Sequence, residues 1–409
     1  MYRHTVQTMA IMLVSGVAMS AAQRGEQRTA QPPDPIISLV SRLDLERYKA
    51  TIKGLTQFGD RREGTDRNRA AIDWIEAQLK SDGCVNTERI TYDFQPRPAQ
   101  PRAPGAPLPL ATGVVGPQTE TASGGGRPRG IRVGTGVNID PMKQPDEKLR
   151  ALNMQPSTPG TRQEVYCTKV GTGHPDEMYI VAAHMDGHGW GEAANDDGSG
   201  TALVMELARV FSSPDVQTDR SIRFALWNNE ETGLNGSAAY VAQRKDLQGK
   251  EDPSGSGRYP EPRWLGLIQH DMMLFDHGAP SPDGTMRKQQ RPEADVNVEF
   301  QLNSKLPAES QALGWVLERA NEKYASDYPV TLGSHMTNTD SSSFMDVVPS
   351  ISVRENQRGN EIGSGWDPQW HQPTDVYATY NDDDFRLGLN AAQTTLAAVA
   401  QLVGATVTK

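Results

Sequence analysis

The sequence predicts an α/β protein with a mixed, mostly parallel open sheet and helices on both faces. Three observations carry this. Short apolar runs alternate with longer runs at helical spacing from residue 164 onward. Runs such as 178–183 (MYIVAA) and 221–227 (SIRFALW) are almost continuously apolar, as expected of strands buried on both faces. Polar groups suited to chemistry follow several strands directly, where open α/β sheets build their sites. The 409 residues, 36% of them apolar, with 38 Gly and 28 Pro, suit one large domain with irregular insertions.

The elements follow in order. Arg3 and His4, the apolar run 9–19 (MAIMLVSGVAM) and the small residues Ser20, Ala21 and Ala22 form the pattern of an export signal over 1–22. A secreted or periplasmic location is expected. No later run reaches the ~18 apolar residues that span a bilayer, so no stable membrane insertion is expected after cleavage. Residues 23–35 are polar, a flexible leader to a single domain over 36–409. Helical spacing runs through 35–81, broken at GDRREGTD, with Asp66 as the expected cap after the break and Gly83 as the stop. A strand is expected over 85–94. Residues 96–160 form a Pro/Gly-rich insertion with one short element near 147–152. Strands over 164–170 and 178–183, a helix over 201–211, a strand over 221–227 and a helix beginning at 236–240 come next. A strand over 264–268, a polar insertion over 281–294, a strand over 296–302 and a helix over 308–324 follow. Residues 344–348 lead into a strand over 350–353, and a helix over 382–402 closes the chain.

Bulk properties exclude some functions. The net charge of −10, without a long basic run, argues against a nucleic-acid partner. Cys84 and Cys167 are either one disulfide or two buried thiols.

The chemistry centres on 179–200, YIVAAHMDGHGWGEAANDDGSG. His184 and Asp186 are two residues apart at a strand end, which puts both on one face. Asp196 and Asp197 stand before a helix, and adjacent carboxylates repel unless a cation or proton separates them. A lone HxD is usually a hydrogen-bonded surface pair, and a lone DDGSG is often only a helix cap. Their joint occurrence ten residues apart after an apolar strand favours a divalent metal. Further donors fall at the same sheet edge: Glu230 and Glu231 after one strand, Asp271 after another, and His371 in a loop after 350–353. Nitrogen and oxygen donors without thiolate suit zinc, with cobalt or manganese as substitutes.

The ordered set HMD, NDDGSG, NNEETG, QHDMM and WHQPTD resembles the zinc aminopeptidase/carboxypeptidase superfamily in its M28 peptidase branch, over about 40–95 and 162–405. The resemblance implies a zinc aminopeptidase-like α/β/α sandwich and peptide substrates. It implies that His184 and Asp271 bind one Zn2+, Glu231 and His371 a second, and that Asp196 bridges them. It implies a cis bond between Asp196 and Asp197. Glu230 would be the general base for a water activated between the ions, and Asp186 would sit behind His184, accepting its second N–H. Gln372 departs from the Thr or Ser usual after the histidine, while Pro373 and Asp375 keep the H-x-P-x-D frame. His188 and His270 are each either a spare ligand or, as the preferred reading, satisfied or solvent-facing; His174, His277 and His335 are expected to be non-ligands, and Asp340 a structural feature near the site. Arg354 contacts either substrate or a neighbouring acid. The implied function is an exported two-zinc aminopeptidase. The alternatives are a metallocarboxypeptidase or dipeptidase on the same scaffold and a glutaminyl cyclase-like enzyme.

Overall fold

The computed structural model describes residues 34–95, 137–278, 285, 287–334, 339–355 and 367–408. The expected export signal, almost all of the leader, residues 96–136 of the Pro/Gly-rich insertion and part of the polar insertion lie outside the described residues.

Strand β3 (His174–His184) shows how the sequence builds the layers. Its Val181 and Ala183 enter one core, whereas Met178, Ile180 and Ala182 enter another on the opposite face. The first core is covered by α1 (Pro35–Val40), α2 (Leu45–Thr56), α3 (Asp66–Ser81), α5 (Gly198–Phe211), α7 (Pro307–Tyr324) and α9 (Asp382–Leu402). The second is smaller and aromatic. Tyr240 and Val241 of α6 (Asn235–Arg244) and Phe344 of α8 (Ser341–Phe344) pack there on Trp227 and Trp264. Helices therefore cover both faces, unequally.

The other strands are β1 (Thr87–Phe94), β2 (Gly160–Lys169), β5 (Arg220–Trp227), β6 (Arg263–His270), β7 (Val296–Glu299), β8 (Val330–Gly333) and β9 (Ser350–Arg354). With β3 they form one sheet in the order β1-β2-β5-β3-β6-β9-β7-β8. The central four, β5, β3, β6 and β9, are mutually parallel, while β1, β2 and β7 join by antiparallel pairing. Four neighbouring carboxyl ends thus open on one edge. A separate two-stranded sheet pairs β4 (Val216–Gln217) with β10 (Thr406–Val407).

Several boundaries move for physical reasons. Helical spacing over 35–81 resolves into three helices with N-caps Asp34, Asp44 and Thr65. Thr65 rather than Asp66 caps the third, its hydroxyl accepting from the Asn68 N–H at 3.2 Å. Strand β3 begins before its apolar run because Glu177 pairs with Arg263 in the ladder, and β2 begins at Gly160 opposite Phe94. These polar or glycine ends carry no apolar signal. Strand β8 was not foreseen: only four residues, it follows Pro329 and is half-buried throughout. The expected short element near 147–152 is α4 (Glu147–Asn153). Cys84 and Cys167 form a disulfide between the end of α3 and β2.

Candidate metal centre

His184 ends β3, Glu230 and Glu231 follow β5, and Asp271 follows β6, so three adjacent parallel strands deliver four donors to one edge. Asp196 arrives from the turn before α5, across a cis Asp196–Asp197 bond. His371 comes from the long connection between β9 and α9 and has φ +59°, a left-handed conformation unusual for a side-chain-bearing residue.

The structure brings all five expected ligands together. His184 Nε2 lies 3.3 Å from Asp196 Oδ1 and 3.8 Å from Asp271 Oδ1. His371 Nε2 lies 3.0 Å from Asp196 Oδ2 and 2.8 Å from Glu231 Oε2. The two Asp196 oxygens therefore serve different histidines. Donors at 2.0–2.2 Å from one tetrahedral ion stand roughly 3.3 Å apart, and these separations scatter about half an ångström to either side of that value.

Surrounding contacts fix each donor. The Asp186 carboxylate accepts the backbone N–H groups of Glu230 and Glu231 at 3.1 and 3.4 Å, setting the turn after β5. The expected link from Asp186 to His184 takes another form. His184 Nδ1 meets the Asp186 backbone carbonyl at 3.1 Å, whereas its carboxylate is 3.8 Å away. Asp197 caps α5, accepting from Gly200 N–H at 2.8 Å, and also accepts from the N–H groups of His184 and Met272 at 3.2 Å each. One carboxylate thereby ties the ends of β3 and β6 to the helix. Asp375, four residues beyond His371, accepts the N–H groups of Asn195 and Asp196 at 2.8 and 3.1 Å. Arg354 is buried with Nη2 2.8 Å from Asp271 Oδ2, which settles its alternatives in favour of the acid.

The electrostatics ask for positive charge. Asp186, Asp196, Asp197, Glu230 and Asp271 are all buried, and the Glu231 carboxylate is only 5% exposed. Burial raises the Glu230 and Asp197 carboxyls well above the usual range and takes Asp186 to about 7. Burial opposes charge on His371 too, but Glu231 and Asp196 outweigh it and hold the imidazole at about 9. Asp196 and Glu231, although buried, are held low by the histidines they face, while Asp186, Asp197 and Glu230 are pushed up; this uneven crowd of negative charge is one that divalent cations relieve.

Some residues behave differently from expectation, and others were missed. His270 is satisfied, 3.1 Å from the Ala182 carbonyl and 2.9 Å from Thr395 Oγ1. His277 is engaged by Asp384 at 2.8 Å, His174 is exposed, Asp340 is buried near Gln269, and His335 lies outside the described residues. His188 is neither satisfied nor solvent-facing: its Nε2 is 3.0 Å from Glu231 Oε2 and its ring abuts His371. The reason is that the loop after β3 folds back over the site. Arg61 holds that loop. Its guanidinium is fully buried and donates to the carbonyls of Met185, Glu192 and Ala193 at 2.7–2.9 Å. The only sequence signal for Arg61 is an arginine inside the GDRREGTD break.

Known proteins extend this picture. Peptidase family M28 matches residues 165–395. Aminopeptidase YwaD of Bacillus subtilis is 37% identical over 126 residues, 30% of this chain and 26% of that protein. The chain thus spans about a quarter of that relative's length. Among solved structures, BSAP, a zinc aminopeptidase from Bacillus subtilis, superposes with TM-score 0.58 at 20% identity, covering 88% of this chain and 95% of that one. Glutaminyl cyclase of Porphyromonas gingivalis shares the fold as well, with TM-score 0.53 and 16% identity over 88% of this chain and 99% of that one. On the match over more than half its length, the chain belongs to peptidase family M28.

Proposed function

We propose that this chain is an exported aminopeptidase that works with two zinc ions, one on His184 and Asp271, the other on His371 and Glu231, with Asp196 between them. The observation that carries the reading is the split of Asp196, one oxygen toward each histidine. The buried Glu231 Oε1 has no hydrogen-bond partner, as expected of a carboxylate oxygen free to join an ion. Bound there, the ions supply Lewis acidity toward a water and the scissile carbonyl.

The chain's own residues do the rest. Glu230 stays outside the ligand set and moves a proton from the attacking water to the leaving amine. Its burial disfavours the charged carboxylate, which suits a group that must both take and return a proton. Asp186 positions it by holding the Glu230 and Glu231 N–H groups, and Asp375 positions Asp196 through its backbone. An acidic site suits the terminal ammonium of a peptide. A carboxypeptidase would need a cation for the opposite terminus, and Arg354 is already engaged with Asp271. The names of YwaD and BSAP favour the aminopeptidase reading as well. The disulfide and the apolar start of the chain support export.

The test is digestion of defined peptides by zinc-loaded protein, read by mass spectrometry. The expected products are ladders shortened from the amino end, abolished by chelator and by N-acetylation. Ladders from the carboxyl end would replace the aminopeptidase with a carboxypeptidase. Cyclisation of N-terminal glutamine without cleavage would replace it with a glutaminyl cyclase.

A further inference from the structure

His188 has no place in the ligand set above, yet the fold aims it at one half of that set. Its Nε2 is 3.0 Å from Glu231 Oε2, and its ring meets that of His371 edge-on, with centroids 4.0 Å apart at 86°. Donor atoms of His188, Glu231 and His371 all lie within 4.8 Å of one another. His188 Nε2 is buried and makes no aligned hydrogen bond despite this approach, and the second Glu231 oxygen, Oε1, is buried without a partner. A histidine that simply paired with a carboxylate would align its N–H on the oxygen. Close approach without alignment is instead how atoms sit when they share a cation.

The approach is also built into the backbone. Gly189 has φ +98°, and a Cβ there would fall 2.3 Å from the His371 carbonyl carbon, so a glycine is needed for the two loops to touch. Asn138 joins them, its N–H donating to the His371 carbonyl at 3.0 Å and its side-chain amide to that of Gly189 at 3.5 Å. Gln144 repeats the link, its amide donating to the carbonyls of Trp190 and Pro373 at 2.8 and 2.9 Å.

We infer that His188 Nε2 is a further ligand of the metal ion held by Glu231 and His371. The inference rests on the two-ion reading and makes the ions unequal. One has His188, His371, Glu231 and Asp196, four protein donors that fill a tetrahedral shell. The other has His184, Asp271 and Asp196; Glu230 lies within the same reach but is assigned to proton transfer, so that ion keeps a position for water or substrate. His188 therefore assigns holding to one ion and chemistry to the other.

The experiment titrates zinc into metal-free wild-type, His188→Ala and His184→Ala proteins against a chromophoric chelator. X-ray absorption of zinc-loaded wild type counts the imidazoles. Wild type is expected to bind two ions carrying three imidazoles between them. His188→Ala should weaken one ion by at least about tenfold and leave the other unchanged, and His184→Ala should weaken the other. Two unaltered affinities in His188→Ala, or two imidazoles in wild type, would overturn the assignment and leave the ion pair standing. A wild type that binds a single ion would overturn the pair and this assignment together. The wild-type imidazole count needs no variant, so a misfolded His188→Ala protein does not block the test.

Discussion

The two halves of the centre are built by different means. His184 and Asp271 stand at the ends of adjacent parallel strands, 1% and 6% exposed, and their other polar contacts are made: His184 Nδ1 with the Asp186 carbonyl, Asp271 with Arg354. His371 and Glu231 stand on connections, His188 beside them is 17% exposed, and His371 Nδ1 and Glu231 Oε1 are left without hydrogen bonds. The sheet orients the first half whether or not an ion is present. The second half owes its shape to contacts from remote segments. Rigid placement of reacting groups and tight retention of a metal are separate demands, and the two halves divide them.

The sharpest way to break that comparison is to remove the proposed base, Glu230, and leave the other proposed ligands in place. Glu230→Gln keeps the size of the side chain but cannot take a proton. Its kcat should fall by about 10²–10⁴-fold, with zinc content and KM nearly unchanged. A variant that lost zinc instead would show Glu230 to be a ligand, consistent with its place near His184 and Asp271, and would redraw the strand-end half. Next in size is the disulfide. Cys84 and Cys167 are 83 residues apart, and opening a loop of that length costs on the order of 4 kcal/mol through the unfolded state. Serine at both positions should lower the denaturant midpoint markedly while both zinc affinities hold. A loss confined to one ion would mean that β2 transmits strain to the Glu230–Glu231 turn through its pairing with β5.

How much of this could be read from the sequence follows the same division. His184, Glu231 and Asp271 are legible because each follows an apolar run, and an apolar strand with a polar residue at its carboxyl end is a local pattern. The central strands were found for the same reason, and β8 was missed because its four half-buried residues offer no alternation. Asp196 is legible through the adjacent-carboxylate pattern. His371 needed the resemblance, since nothing local marks a histidine in a turn rich in polar residues. The approach of His188 to the site is not legible because its neighbours lie at 231 and 371, far along the chain, and spacing carries no information about loops folding onto each other. Arg61 and Gln144 were invisible for a related reason: both act on backbone carbonyls, which every residue has. Asp186 does meet His184, but through its backbone carbonyl rather than the expected carboxylate, and that exchange depends on a rotamer, which sequence does not encode.

The remaining prediction tests the loop half alone. Gln144 is buried and donates two hydrogen bonds, to Trp190 beside the His188 loop and to Pro373 beside His371. Its own carbonyl accepts from Arg150, which anchors the residue to α4. Gln144→Ala removes both cross-links and strands one buried carbonyl, that of Pro373, and one part-buried carbonyl, that of Trp190, with a local cost of about 1–3 kcal/mol for the buried one. That cost falls where the histidines are held only by loop contacts. One zinc affinity should drop by roughly tenfold, as is typical for groups that orient ligands without touching the metal. The affinity of the ion on His184 and Asp271 should not move, because no strand end is altered. Equal weakening of both ions would show that Asp196, common to both, is what the insertion really holds, and the two halves would then have to be treated as one.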